Sequence, residues 1–180
     1  APDDARTAFL RHATSKIRKK EDLACIGTLG FRGEALAAIS AVSKIDLLTR
    51  AQGAADGVRL HLEAGKVLSE EPAGCPCGTT ILVRELFYNT PARMKFMKSD
   101  AAEASAVFSV VQQQALAHPE ISFRFLKDGQ EQLHTDGQGE RMAAIYAIYG
   151  RELANNMLSV DGSWEKPVSY THLTLPTNRE

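Results

Sequence analysis

The segment TLGFRGEAL, residues 28–36, combines a glycine-containing loop with the start of an apolar stretch. It carries glycines at 30 and 33, follows another at 27, and runs directly into the apolar stretch EALAAISAV. Glycine in a helix interior costs about 1 kcal/mol relative to alanine, so this spacing predicts a tight turn with positive φ where needed. A helix is predicted to begin near Gly33 or Glu34. Its unpaired N–H groups suit an anion such as phosphate, although an ordinary loop before a buried helix has the same pattern.

The composition is typical of a soluble globular domain. The 180 residues are 44% hydrophobic and 24% charged, and the net charge of −1 gives no global reason to bind nucleic acid or an acidic membrane. No apolar run approaches the roughly 20 residues that a membrane span needs, and no signal peptide is recognisable. Because the first residues lack an initiator methionine and resemble the middle of a helix, we expect the chain to be a fragment.

The three cysteines, Cys25, Cys75 and Cys77, are an odd number without a secretory signal, which indicates reduced thiols in a cytoplasm. Structural zinc needs four ligands, with at least two residues usual between paired cysteines. No second cysteine pair or nearby histidine pair accompanies Cys-Pro-Cys. We therefore predict no metal ligands, and a turn before the strand GTTILVREL.

The alternation of helical and strand patterns predicts an α+β fold, with helices against an antiparallel or mixed sheet. The polar connection 14–33 has the length of a functional loop, often a lid. Short Gly- and Asp-containing connections between strands indicate an antiparallel meander. The strands are predicted at 44–50, 57–65, 66–72 and 79–86, with a helix at 100–117, a hairpin at 121–135 and a further helix at 137–157.

The last segment, EKPVSYTHLTLPTNRE, breaks this pattern. It is either a loop of a truncated second domain or unrelated sequence from a cloning join, since VSYTHLTLPTNRE resembles a translated adapter. From about Pro167 onward we expect loose packing, because a short stretch without partners cannot offset an ordering entropy of about 1–2 kcal/mol per residue.

Four motifs carry a resemblance to DNA mismatch repair proteins of the MutL type. They are RHATSKI at 11–17, LGFRGEAL at 29–36, GTT at 78–80 and FYNTPAR at 87–93. Their order and separations match the family, and the resemblance covers about residues 1–160.

The resemblance implies the ATPase sandwich shared with gyrase B subunits, Hsp90 chaperones and histidine kinases, with helices on one face of a mixed sheet. In that arrangement, residues 1–137 would be a partial, N-terminally truncated ATP-binding domain. Residues 138–166 would start a second α/β domain of the ribosomal S5 type, and residues 167–180 would be the tail.

The resemblance also implies a lid over ATP, running from HATSKI to GFRGEAL. Backbone amides would wrap the triphosphate at Gly30, Phe31, Arg32, Gly33, Glu34, Ala35 and Leu36. The Glu34 carboxylate would repel phosphate, so we expect it to point away, toward Arg32 or a basic lid residue. Arg32 either contacts phosphate or makes a surface ion pair worth about 0–1 kcal/mol.

Two further motifs supply candidate nucleotide contacts. Thr14, Ser15 and Lys16 suit magnesium-bound phosphates or a loop that orders with nucleotide, whereas spacing alone gives only a polar cluster at a helix end. Thr80 matches a family position near the base, although a threonine there also suits a solvent-facing strand. Asn89 and Arg93 are expected to hold a loop beside the pocket.

No catalytic residue is predicted in these 180 residues. The family's general base is a glutamate on an early helix, followed by a magnesium-binding asparagine and an adenine-reading Asp-Asn-Gly loop, and neither pattern occurs here. The resemblance therefore implies an ATPase that uses ATP and Mg²⁺, with this chain inactive alone.

The implied function is ATP-dependent mismatch repair, in which nucleotide closes the lid, N-terminal domains form a homodimer, and mismatch recognition is coupled to strand incision. Implied partners are DNA, a MutS-type mismatch-recognition protein, and an endonuclease or helicase, in a bacterial cytoplasm at the nucleoid. The alternatives are another ATPase of the superfamily, such as a type II topoisomerase subunit, and a non-enzymatic nucleic-acid or partner-binding module. The basic run 16–20 supports the last alternative weakly.

Overall fold

The computed structural model describes residues 2–17 and 19–158, which belong to two compact units, Ala1–Met97 and Lys98–Glu180. The first unit contains a four-stranded sheet with short helices. Its elements are α1 (Pro2–Thr7), a 3-10 helix (Lys20–Cys25), α2 (Ala35–Ser40), β1 (Lys44–Arg50), β2 (Gly57–Glu63), β3 (Lys66–Ala73), β4 (Gly78–Arg84) and α3 (Pro91–Phe96). The domain boundary at 137/138 stays a prediction.

The sheet has the order β3-β2-β1-β4, and all its neighbouring strands are antiparallel. The predicted meander therefore holds for β1 to β3, but β4 returns to pair with β1, as in a Greek key. The connection 74–77 crosses the sheet end at Gly57. A Cβ there would collide with Cys75 Sγ and come within 2.9 Å of the carbonyl oxygens of Ala73 and Thr49. The close crossing explains why β2 begins with glycine.

Two tight hairpin turns were predicted from their glycines and are confirmed. Ala64 and Gly65 have φ of 50° and 77° between β2 and β3, and Asp128 and Gly129 have φ of 51° and 76° in the second unit. Positive φ at both central residues matches the twist of antiparallel strands, so each turn fixes the register of its hairpin.

The core of the first unit lies on one face of the sheet. Ile45, Leu60 and Leu62 are fully buried there, and Ala5 and Phe9 pack against them from α1 and the turn after it. The spacing of Leu36, Ile39 and Val42 predicts an apolar stripe on the helix that follows Gly33, but α2 buries a different face. The helix is only six residues long and buries Ala37 and Ser40, with Leu36 partly buried against the core and Ile39 exposed.

The opposite face of the sheet carries a buried carboxylate, Asp46, on β1. Its oxygens lie 3.1 Å from His61 Nδ1, 2.5 Å from Arg84 Nη1 and 3.5 Å from Arg59 Nη2. Burial acts to raise the pKa of Asp46, but hydrogen bonds from His61 and Arg84, with the charges of both, outweigh it. The pKa of Asp46 therefore lies below its ordinary value.

An Asp46→Asn variant is expected to be less stable than the parent at pH 7 by about 1–3 kcal/mol, because charged hydrogen bonds are lost in a buried place. A depressed folded-state pKa stabilises the fold above the unfolded value of about 3.9 and loses that contribution as pH falls through the folded value. In urea unfolding, the difference in unfolding free energy between the parent and Asp46→Asn should therefore be smaller at pH 3 than at pH 7. The control is Glu71→Gln, an exposed change on the same face. A stability difference between parent and Asp46→Asn that does not depend on pH would contradict the lowered pKa of Asp46.

The second unit agrees closely with the sequence pattern. It comprises α4 (Asp100–Ala117), β5 (Arg124–Lys127), β6 (Gln130–His134) and α5 (Arg141–Asn155), which is kinked at Gly150. The apolar side chains of α4 are only partly covered. The Phe108 ring packs against Phe125 in a tilted arrangement with 5.3 Å between ring centres, whereas Val107 is half exposed.

A strand over LSVDG, residues 158–162, is also predicted, and all of it but Leu158 lies outside the described residues, as does the tail predicted from Pro167. Among the helices of residues 2–17 and 19–158, none is both long enough and apolar enough to cross a membrane.

Candidate functional site

The glycine loop packs against the segment that follows α1. The His12 N–H donates to the Gly33 carbonyl at 3.0 Å, and Gly33 has the positive φ, 64°, that its sequence context predicted. A Cβ on Gly33 would collide with the Ala13 carbonyl group. Gly27 and Gly30 do not adopt positive φ. The structure thus brings the predicted RHATSKI and GFRGEAL motifs into direct backbone contact.

Glu34 lies beside the basic residues of this junction, as expected. It is the N-cap residue of α2, and its carboxylate is 3.8 Å from Arg32 Nε and 3.4 Å from His12 Nδ1. All three side chains are well exposed, so each contact is worth about 0–1 kcal/mol. Within the described part of the chain, the terminal nitrogens of Arg32 have no partner, so this ion pair and a phosphate contact are compatible.

The other lid residues make few contacts. Thr14 Oγ1 accepts the Lys16 N–H at 3.2 Å, which closes a small turn, and Ser15 and Lys16 are exposed. Phe31 and Leu36 are partly buried, whereas Ala35 is exposed. The polar residues that were predicted to meet phosphate therefore stand at the surface.

A cavity of about 550 Å³ adjoins the core face of the sheet. This volume is in the range of small-molecule pockets. Two hydroxyls face it, and Thr49 Oγ1 lies 2.8 Å from Thr79 Oγ1. Its apolar lining comes from α1, the turn after it, α2 and three strands, at Ala5, Ala8, Leu36, Leu47, Val58 and Ile81.

Thr80 does not line this cavity. It pairs with Leu48 on β1, is exposed, and lies on the opposite face from Thr79 and Ile81, because side chains alternate along a strand. A shift of one residue moves a side chain to the other face, and the sequence alone did not fix the register of β4. The geometry therefore favours Thr79 as the cavity threonine.

Arg50 also lines the cavity, and sequence reasoning missed it. Its Nε is buried and has no hydrogen-bond partner, the one such side-chain atom in the described ranges. No pattern in KIDLLTR distinguishes this arginine from a strand-end surface charge.

Asn89 and Arg93 have the structural contacts that were predicted. Asn89 Nδ2 donates to the Ala41 carbonyl at 2.9 Å, and the Arg93 guanidinium lies 5.6 Å from the centre of the Phe87 ring. These contacts tie the segment after β4 to the end of α2 and to α3, a helix that was not predicted.

Sequence relatives decide the family. The chain is 48% identical over 158 residues to the DNA mismatch repair protein MutL of Agathobacter rectalis and 49% identical over 161 residues to that of Symbiobacterium thermophilum. These matches cover 88% and 89% of this chain. The chain belongs to the MutL family. It spans about a quarter of the length of these relatives, 24% and 25%, and no family model matches it.

Solved structures agree with the MutL assignment. The Aquifex aeolicus MutL ATPase domain complexed with ADP superposes with a TM-score of 0.58 at 31% identity, over 73% of this chain and 52% of that one. The N-terminal domain of a DNA repair protein superposes with a TM-score of 0.62 at 28% identity, over 86% of this chain and 48% of that one. The predicted fold class, an α+β ATPase sandwich of the MutL type, is confirmed.

Proposed function

We propose that this MutL-type chain is part of a nucleotide-binding domain that uses ATP and Mg²⁺ in DNA mismatch repair. One observation carries the proposal: the His12–Gly33 hydrogen bond joins the two motif segments beside the cavity. Leu36, three residues after Gly33, lines that cavity. A ligand in the cavity would therefore have the glycine loop at its edge.

The residues present fit a nucleotide. The apolar cavity with its Thr49–Thr79 pair suits a nucleoside, and the amides of residues 30–36 suit the phosphates. Lys16 and Arg32 are exposed cations at the same junction. Magnesium, when bound, would neutralise phosphate charge, with the hydroxyls of Thr14 and Ser15 as candidate partners.

The longer protein would use this site as a switch. We expect nucleotide to order the lid, residues 14–33, and the closed lid to favour a homodimer of N-terminal domains. Dimerisation would couple a MutS-type mismatch-recognition protein on DNA to strand incision through an endonuclease or helicase. A binding energy that differs between the open and closed lid is the physical requirement for such coupling.

Limited proteolysis tests the lid. In a grafted chain, in which residues 1–180 follow the preceding segment of the Symbiobacterium relative, saturating ATP with Mg²⁺ should slow tryptic cleavage at Lys16, Lys19 and Arg32 by at least about fivefold. The reason is that cleavage requires an open lid. Cleavage at Lys127, in the β5–β6 turn region, serves as the control. Unchanged cleavage at all the lid sites would favour the non-enzymatic binding module instead.

A further inference from the structure

Two threonine hydroxyls form a short hydrogen-bonded chain at the wall of the cavity. Thr49 on β1 and Thr79 on β4 are cross-strand neighbours, and both line the cavity. The Thr49 hydroxyl donates to the Gly78 carbonyl at 3.2 Å, and Thr49 Oγ1 also lies 2.8 Å from Thr79 Oγ1. Each hydroxyl has one proton to donate and two lone pairs that accept.

The Gly78 carbonyl fixes the direction of this hydrogen-bonded chain. Because a carbonyl can only accept, the single proton of Thr49 is used in that bond, and the Thr79 hydroxyl donates to Thr49. If Thr49 donated to Thr79 instead, the hydrogen bond to Gly78 would be lost. The arrangement with both hydrogen bonds leaves Thr79 with lone pairs, and no proton, for a ligand of the cavity.

The rest of the cavity lining also favours a ligand that donates hydrogen bonds. Four carboxylates line the same cavity, those of Asp4, Asp56, Glu70 and Glu71. Ionised carboxylates only accept hydrogen bonds, and their charge repels phosphate. A neutral base with N–H groups suits this lining, whereas the phosphates of the same nucleotide would lie outside it, beside the glycine loop.

We infer that Thr49 is a positioning residue that selects the base of the nucleotide. It holds Thr79 as an acceptor, so that Thr79 takes an N–H of the 6-amino group of adenine and disfavours a base with a 6-oxo group. When two acceptors face each other, the hydrogen bonds that both made to water are lost and no new one forms. The inference rests on the proposed nucleotide site.

Isothermal titration calorimetry in the presence of Mg²⁺ tests this selection in the grafted chain. ADP and inosine diphosphate, which carries a 6-oxo group, are titrated separately into the parent, Thr49→Val and Thr49→Ser. In Thr49→Val the Thr79 proton has lost its acceptor on β1 and can turn to the 6-oxo group. The preference for ADP over inosine diphosphate should therefore fall about fivefold, through tighter binding of inosine diphosphate. Thr49→Ser keeps the hydroxyl and should keep the preference of the parent.

Thr80→Val is the matched control, because it removes a hydroxyl from β4 on the face opposite to the cavity. It should bind both diphosphates as the parent does. The grafted segment is the same in all variants, so the changes between variants measure the role of Thr49.

The outcomes separate the two proposals. If the parent binds neither diphosphate, the nucleotide site and the selection by Thr49 both fail. If the parent prefers ADP and Thr49→Val keeps that preference unchanged, only the inference about Thr49 fails. A parent without a preference, or a loss of preference in Thr49→Ser or Thr80→Val, would overturn the same inference.

Discussion

A Gly33→Val variant of the grafted chain is expected to bind ATP at least about tenfold more weakly than its parent. Gly33 has a φ of 64°, where a β-branched residue costs on the order of 1–3 kcal/mol, and its Cβ would collide with the Ala13 carbonyl group. This clash can be relieved only if the two lid segments move apart. The core lies on the sheet, so the fold should stay largely intact. Isothermal titration calorimetry measures the affinity, and circular dichroism checks the fold.

Gly30→Ala is the matched control for this variant. Gly30 has no positive φ, and a Cβ there would meet nothing within 4 Å, while alanine keeps the backbone amide. We expect its affinity to stay within about twofold of the parent, because substitutions in open space away from strained backbone have small effects. Equal ATP affinity in Gly33→Val and the parent would contradict the assignment of residues 14–33 as a nucleotide lid.

The 180-residue chain is expected to release phosphate from ATP at least about 100-fold more slowly than the grafted chain. Loss of a general base alone costs about 10²- to 10⁴-fold. The 180 residues hold no Asp-Asn-Gly motif, and the helix that carries the family's glutamate and asparagine has no match in them. Phosphoryl transfer also needs water, metal and charge positioned together. A coupled phosphate-release assay at matched protein concentration measures the ratio.

The grafted chain with Gly33→Val is the control for contaminating phosphatases, because it should lose the activity that depends on this site. Turnover by the 180-residue chain comparable with the grafted chain would mean that the glycine loop, Lys16 and Arg32 carry the chemistry. The family mechanism would then have been transferred to this chain incorrectly.

The local elements could be predicted because their signals are local. The strand at 44–50 and the helix at 100–117 match β1 and α4, since alternation and capping positions depend on neighbouring residues only. The turn at Ala64–Gly65 followed from its glycine. The return of β4 to β1 could not be predicted, because pairing between distant strands leaves no periodic pattern in either strand.

In the candidate site, too, the features with a local sequence signal could be predicted and those that depend on packing could not. Positive φ at Gly33 and the position of Glu34 beside Arg32 followed from the chemistry of a short segment. Thr79 was missed in favour of Thr80, because the cavity-facing residue of a strand is known only once its register is known. Arg50 was missed because an absent partner is a property of the packed structure.

The return of β4 to β1, after the chain crosses the sheet end at Gly57, affects the order in which the site assembles. The strands β1 to β3 join through adjacent segments, whereas the Thr49–Thr79 contact closes a separation of 30 residues. Such distant closures cost more chain entropy and form late. We therefore expect Thr79 and Ile81 to complete the cavity wall late in folding, after β1 to β3 have paired. We then expect a ligand of the cavity to bind only chains in which β4 has paired with β1, so its apparent affinity would fall in proportion to the fraction of such chains.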